Sequence, residues 1–179
     1  MTNAELAILS LVAEQPQHGY QIEQTIEARG MRDWTEVGFS SIYYLLNKLE
    51  KAGLIESHLE TVEGRGPARK VYQVTPQGRD AHAEVTLEAL SEPKPCFTPF
   101  LLGVSNLPTI PRNQAVTALY QFRDALEKRR VHVIARAQEQ HPLPDHVAAM
   151  FAYSQAMLIA ELAWIEKFIS QLEAQDVEG

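Results

Sequence analysis

Between Val37 and Thr75 the chain places an amphipathic helix directly before a hairpin with a cationic turn, and no other stretch constrains the fold as strongly. The helical part reads Phe39-Ser40-Ser41-Ile42-Tyr43-Tyr44-Leu45-Leu46-Asn47-Lys48-Leu49-Glu50-Lys51. Ile42, Leu45, Leu46 and Leu49 recur at helical spacing and so share one face. Ser40, Ser41, Tyr44, Asn47, Lys48 and Lys51 are left for the other face, and Gly53 stands where a left-handed helix end is wanted. Residues 54 to 62 and 69 to 74 favour strand. Between them, Gly64-Arg65-Gly66-Pro67 supplies a turn that brings Arg65 near Arg69 and Lys70. A helix with short polar side chains on its open face can enter a major groove, and a cationic hairpin can touch phosphates.

Charge limits how such contacts could work. The net charge is -7, whereas nucleic-acid binders usually carry a basic face. Residues 1 to 80 hold 8 basic against 11 acidic side chains, so the half with the helix and hairpin is itself acidic. Any affinity for DNA must then come from local clustering, since screening over about 8 to 10 Å separates such a patch from distant acids. Weak non-specific binding and reliance on a dimer are expected. The single cysteine, Cys96, excludes an internal disulfide and a cysteine-cluster zinc site, and fits a reducing, cytoplasmic compartment. The sequence start carries Glu5 and no basic region, which speaks against a secretory signal. No apolar run approaches the ~20 residues that cross a bilayer, so no membrane partner is expected.

Along the chain, Asn3 to Ala13 predicts a first helix capped by Asn3, or else by Thr2. Pro16 interrupts it. A second helix runs from Gly19 to about Arg29, with Ile22 and Ile26 inward, Gly30 at its end, and His18 as a cap or a solvated residue. The connector 31 to 38 holds Trp34, a packing residue or a pocket lining. Gly38 or Ser40 would cap the next helix. Thr75 and Pro76 open a further helix over 77 to 90, and Ser91-Glu92-Pro93-Lys94-Pro95 reads as a linker. The expected division is therefore 1–90 and 91–179. The second part predicts a short apolar helix over 97 to 107, then long helices over about 112 to 140 and 145 to 174. The last is apolar over more of its circumference than one neighbour can cover, which suits an antiparallel pair completed by a second subunit.

Three motifs in order resemble the PadR-type winged-helix transcriptional regulators. They are His18-Gly19-Tyr20-Gln21-Ile22; then Ile42-Tyr43-Tyr44-Leu45-Leu46 leading to Gly53-Leu54-Ile55; then Gly66-Pro67-Ala68-Arg69-Lys70-Val71-Tyr72 leading to Thr75-Pro76 and Gly78. Together they span roughly the first 80 residues; beyond them the likeness is to the looser helical pattern of the longer members. The chain departs from the pattern at Ser40 and Tyr44, where many relatives carry glycine and proline. The resemblance implies a mainly α fold with a small β-hairpin: a winged helix-turn-helix domain followed by a C-terminal α-helical dimerisation domain of antiparallel helices. It also implies repression, an aromatic-lined effector site, and a Tyr43 that packs while its hydroxyl reaches the DNA backbone.

The expected DNA-binding residues are Ser40, Ser41, Tyr43, Tyr44, Asn47, Lys48, Arg65, Arg69 and Lys70. Lys48 is expected on a phosphate and Asn47 on a base edge. Candidates for a small aromatic effector are Trp34, Phe97, Phe100 and Trp164. The expected partners are double-stranded DNA and a second copy of the chain. The acidic balance keeps a second reading open, a winged-helix protein-interaction module without DNA binding. Lys128-Arg129-Arg130 sits beside Glu127 and reads as a solvated face. His132, His141 and His146 lack the spacing of a zinc helix, and no serine has a nucleophile elbow, so neither a metal, a cofactor nor an enzyme is expected.

Overall fold

The computed structural model describes residues 1–35, 37–38, 41–60, 68–95, 97–139 and 142–174. Ser40, Arg65, Cys96 and His141 therefore lie outside the described residues. The chain divides into two compact units, Met1–Pro95 and Cys96–Gly179.

The first unit begins with α1 (Asn3–Glu14). Thr2 caps it: its hydroxyl accepts from Glu5 N, and Glu5 Oε2 accepts from Thr2 N at 2.8 Å. Such a reciprocal cap satisfies two of the helix's orphan amides. Ile8, Leu9, Leu11 and Val12 are all buried, because α1 is covered on several sides. Next comes a two-residue strand, β1 (Gln17–His18), which the periodicity of the sequence does not reveal. His18 is also the N-cap residue of α2 (Gly19–Ala28). Ile22 and Ile26 turn inward, and Gly30 adopts a left-handed φ of 60° beyond the helix. A 3-10 turn, Met31–Asp33, leads on to α3 (Ile42–Lys51).

On α3 the buried set is Ile42, Leu45, Leu46 and Leu49, the four residues of the apolar stripe. Its N-cap position is Ser41, not Gly38 or Ser40. The Ser41 hydroxyl donates back to the Gly38 carbonyl at 2.8 Å, so it is engaged upstream and leaves the helix amides alone. At the other end Gly53 takes φ 72°. Leu54 N donates to Leu49 O and Gly53 N to Glu50 O, both at 3.0 Å, a closure that needs a left-handed residue and sets the chain's exit angle.

That exit feeds β2 (Ile55–Glu60), which pairs antiparallel with β3 (Arg69–Val74) from Ile55↔Val74 to Glu60↔Arg69. β1 joins the other edge of β3 through Gln17↔Tyr72 and His18↔Val71, giving the order β1-β3-β2. The hairpin is thus part of a three-stranded sheet. Tyr72 and Val74 join the core cluster with residues of α1 and α3, and Val71, on the other face of the strand, is also buried. α4 (Pro76–Ser91) follows. The Thr75 hydroxyl accepts from Gly78 N at 3.0 Å and donates to Gly53 O at 2.7 Å, tying α4 to the end of α3.

In the second unit α5 (Pro99–Ser105) precedes α6 (Arg112–Glu139) and α7 (Asp145–Ala174). α6 and α7 pack antiparallel, with Tyr120 near the start of one donating to Glu173 near the end of the other at 2.8 Å. Leu119, Leu126, Leu158, Leu162, Ile165 and Ile169 form their common core. By length and composition α7 passes for a bilayer-crossing helix, with a mean hydropathy of 1.3, contrary to the expectation that no stretch comes near this. Isolated polar residues such as Ser154, Gln155 and Glu161 break the continuous apolar run while leaving the average high. Only 11% of that window is buried within this chain, and one such helix is weak evidence for a membrane.

Candidate nucleic-acid interface

The open face of α3 carries Tyr43, Tyr44, Asn47 and Lys48, all exposed, with Tyr43 at 56% and Tyr44 at 66%. Tyr43 leans on the first turn of α2. A methyl group on Gly19 would stand 2.6 Å from Tyr43 Cε1, so the glycine is what lets the ring lie there. Beside it a hollow of about 410 Å³ opens between the start of α2, the start of α3 and β3, and His18, Tyr20, Tyr43, Arg69, Lys70 and Tyr72 line it. The fold therefore brings Tyr43, Arg69 and Lys70 together, although they come from two elements far apart in sequence.

Lys48 is placed differently. Its ammonium is paired with Glu5 Oε1 at the start of α1. Lys70 is paired with Glu50 Oε2 at 2.7 Å and lies 5.0 Å from the centre of the Tyr72 ring. The Ser57 hydroxyl donates to the other oxygen of Glu50. These contacts act on both partners. The hydrogen bond from Lys48, and then that from Thr2 N, hold the Glu5 carboxyl below its ordinary range; Lys70, then Ser57, do the same for Glu50. Lys48 and Lys70 are raised above the usual lysine range, chiefly by those hydrogen-bonded carboxylates. Glu5 and Glu50 are the residues of this surface that sequence reasoning missed. Thr2-x-x-Glu5 shows the cap, but nothing local points from Glu5 to Lys48.

The aromatic candidates fall into both units. Trp34 is 53% exposed in the first, so it is not packed into that unit's core. In the second, Phe100 stacks on Phe122 with ring centres 4.3 Å apart and meets the edge of Trp164 at 5.8 Å; Trp164 stacks on Phe168. Phe97 is 89% exposed and outside that cluster. Arg130 of the basic triplet pairs with Glu127 at 2.6 Å. Among the described residues no group of three or more His, Cys, Asp or Glu side chains could hold a metal ion.

An amphipathic reading helix, a flanking three-stranded wing and a connecting helix define the first unit as a winged helix-turn-helix. Bacillus subtilis PadR in complex with operator DNA has the same fold over 94% of this chain and 98% of its own, with a TM-score of 0.75 at 18% identity. The PadR-like regulator BC1756 from Bacillus cereus matches 96% of this chain and 97% of its own, with a TM-score of 0.68 at 16% identity. In sequence, Transcriptional regulator Rv3488 of Mycobacterium tuberculosis is 38% identical over 79 residues, which cover 44% of this chain and 68% of that protein. The profile of the Transcriptional regulator PadR-like family matches residues 8–84. The chain belongs to this family and is a transcriptional regulator, not an enzyme.

Proposed function

We propose that the protein is a homodimeric, cytoplasmic repressor that binds a palindromic operator and is released by a small aromatic effector. The observation that carries the DNA-binding part is the convergence of Tyr43, Arg69 and Lys70 on one hollow beside the exposed face of α3. In this reading Tyr44 and Asn47 meet base edges, supported by their exposure on α3, with Ser41 at its N-cap and Ser40 added from the sequence alone. The hollow receives a backbone phosphate from the neighbouring strand, with Tyr43 and Arg69 as donors. Arg65, which lies outside the described residues, is added to this reading from the turn sequence alone. Bacillus subtilis PadR, a protein of the same fold, has been seen with operator DNA and with p-coumaric acid.

Dimerisation is supported by α7. Its inward row, Leu158, Leu162, Ile165 and Ile169, is spent on α6. A second row, Met150, Tyr153, Met157 and Trp164, stays exposed on another side of the helix at spacings of three, four and seven. A second copy of the chain would cover it, setting two α3 helices about 34 to 36 Å apart over successive major grooves. The effector reading rests on Phe100 and Trp164, whose rings cluster with Phe122 and Phe168 in the second unit; Phe97 lies outside that cluster, and Trp34 belongs to the other unit. By binding one dimer geometry better than another it would shift that spacing.

Fluorescence anisotropy against duplexes from the region upstream of the protein's own coding sequence tests the DNA reading. The wild type should bind one of them specifically. Arg69→Ala should weaken binding to every duplex and reduce the salt slope by about one. Absence of binding at micromolar dimer and low salt would instead favour the protein-interaction reading. Titration of tryptophan fluorescence with an aromatic carboxylic acid tests the effector, and a Phe100→Ala variant that responds unchanged would remove it from the model of release.

A further inference from the structure

We propose that Glu5 and Glu50 are built-in counter-ions that suppress sequence-independent DNA binding and so raise discrimination; the inference rests on the DNA-binding reading above. The observations are the two ion pairs on that surface. Glu5 is only 6% exposed, and its second oxygen is held by Thr2 N at 2.8 Å, so it cannot swing away from Lys48. Glu50 is held likewise by Ser57 while it grips Lys70 at 2.7 Å. Two ammonium groups of the reading surface therefore carry a fixed negative partner on the protein itself.

The electrostatic consequence follows from distance. Beyond a few ångströms such a pair acts as a dipole, whose field falls faster than that of a lone charge. A phosphate brought to Lys48 or Lys70 also meets the repulsion of the carboxylate behind it. The gain from releasing a condensed counterion, which drives non-specific association, is correspondingly reduced. Short-range bonding survives. An ammonium has three donors, and a carboxylate that takes one leaves the others for a base edge or phosphate oxygen in close register. The lysines thus contribute where the duplex fits tightly and little where it does not. The same two carboxylates fit the acidic balance of this half of the chain, which otherwise sits badly with DNA binding.

The test compares Glu50→Gln and Glu5→Gln with wild type on the upstream duplex and on a scrambled duplex of equal length, by anisotropy across a salt series. Each substitution should tighten binding to the scrambled duplex about fivefold at physiological salt and steepen the salt slope by about 0.9, one more neutralised phosphate. Binding to the upstream duplex should gain less, so the ratio of affinities falls. Lys70→Gln placed on Glu50→Gln should reverse the gain. Glutamine can keep the Thr2 cap, and Glu50 lies off the buried core, so Glu50→Gln carries the test if Glu5→Gln unfolds. Unchanged slopes, or equal weakening on both duplexes, would overturn the inference while wild-type binding stands. A wild type that binds neither duplex overturns the DNA-binding reading and the inference with it.

Discussion

A methyl group on Gly78 would lie 1.9 Å from the carbonyl oxygen of Leu54. That oxygen belongs to backbone and cannot move aside, so Gly78→Ala should cost about 1–3 kcal/mol of stability, read by urea unfolding. Gly19→Ala differs, because its obstacle is the Tyr43 ring, which can turn. Stability should hold while DNA affinity falls, since the phenol leaves the hollow; equal affinity would detach Tyr43 from the interface. The Glu5 and Glu50 carboxyls are held below their ordinary range, so their pairs stabilise the fold fully above that range. That contribution is lost as pH falls through the lowered values. Glu50→Gln should therefore flatten the acid limb of the melting-temperature profile. Residues of this kind are legible in a sequence only where the partner is local. Thr2 and Glu5 are one turn apart and readable; Lys48 and Glu5 meet only after folding.

Elements with a strong period were readable. α3, its end at Gly53, the paired strands and the Thr75-Pro76 start of α4 all follow from residue chemistry. β1 did not, because two residues have no period and their pairing is with Val71 and Tyr72, more than fifty positions away. The Ser41 start of α3 was also misjudged: a serine hydroxyl can bond back to Gly38 as readily as forward to a helix amide. Because Leu46 is fully buried under α1, Leu46→Ala should cost about 2–5 kcal/mol, measured by thermal or urea unfolding. Losing the Thr75 cap should cost about 1 kcal/mol, and Thr75→Ser should restore it.

For the whole molecule, the acidic balance and the exposed apolar row of α7 both bear on the proposed dimer. One subunit with a small cationic surface binds DNA weakly, and two in fixed register bind as the product. Met157→Glu should yield a monomer in sedimentation velocity with helix content retained, and operator affinity should drop steeply. A dimer that persists would move the interface off this face.

Thr75 clasps Gly53 O with its hydroxyl and receives Gly78 N, while Gly53 closes the end of α3 and Leu54 starts the path into β2. The reader, the wing and α4 are therefore clamped at one knuckle. A torque applied along α4 would reach α3 undamped, as a tilt of the whole unit. If the proposed effector acts through this joint, it would change the aim of α3 and leave its contacts intact.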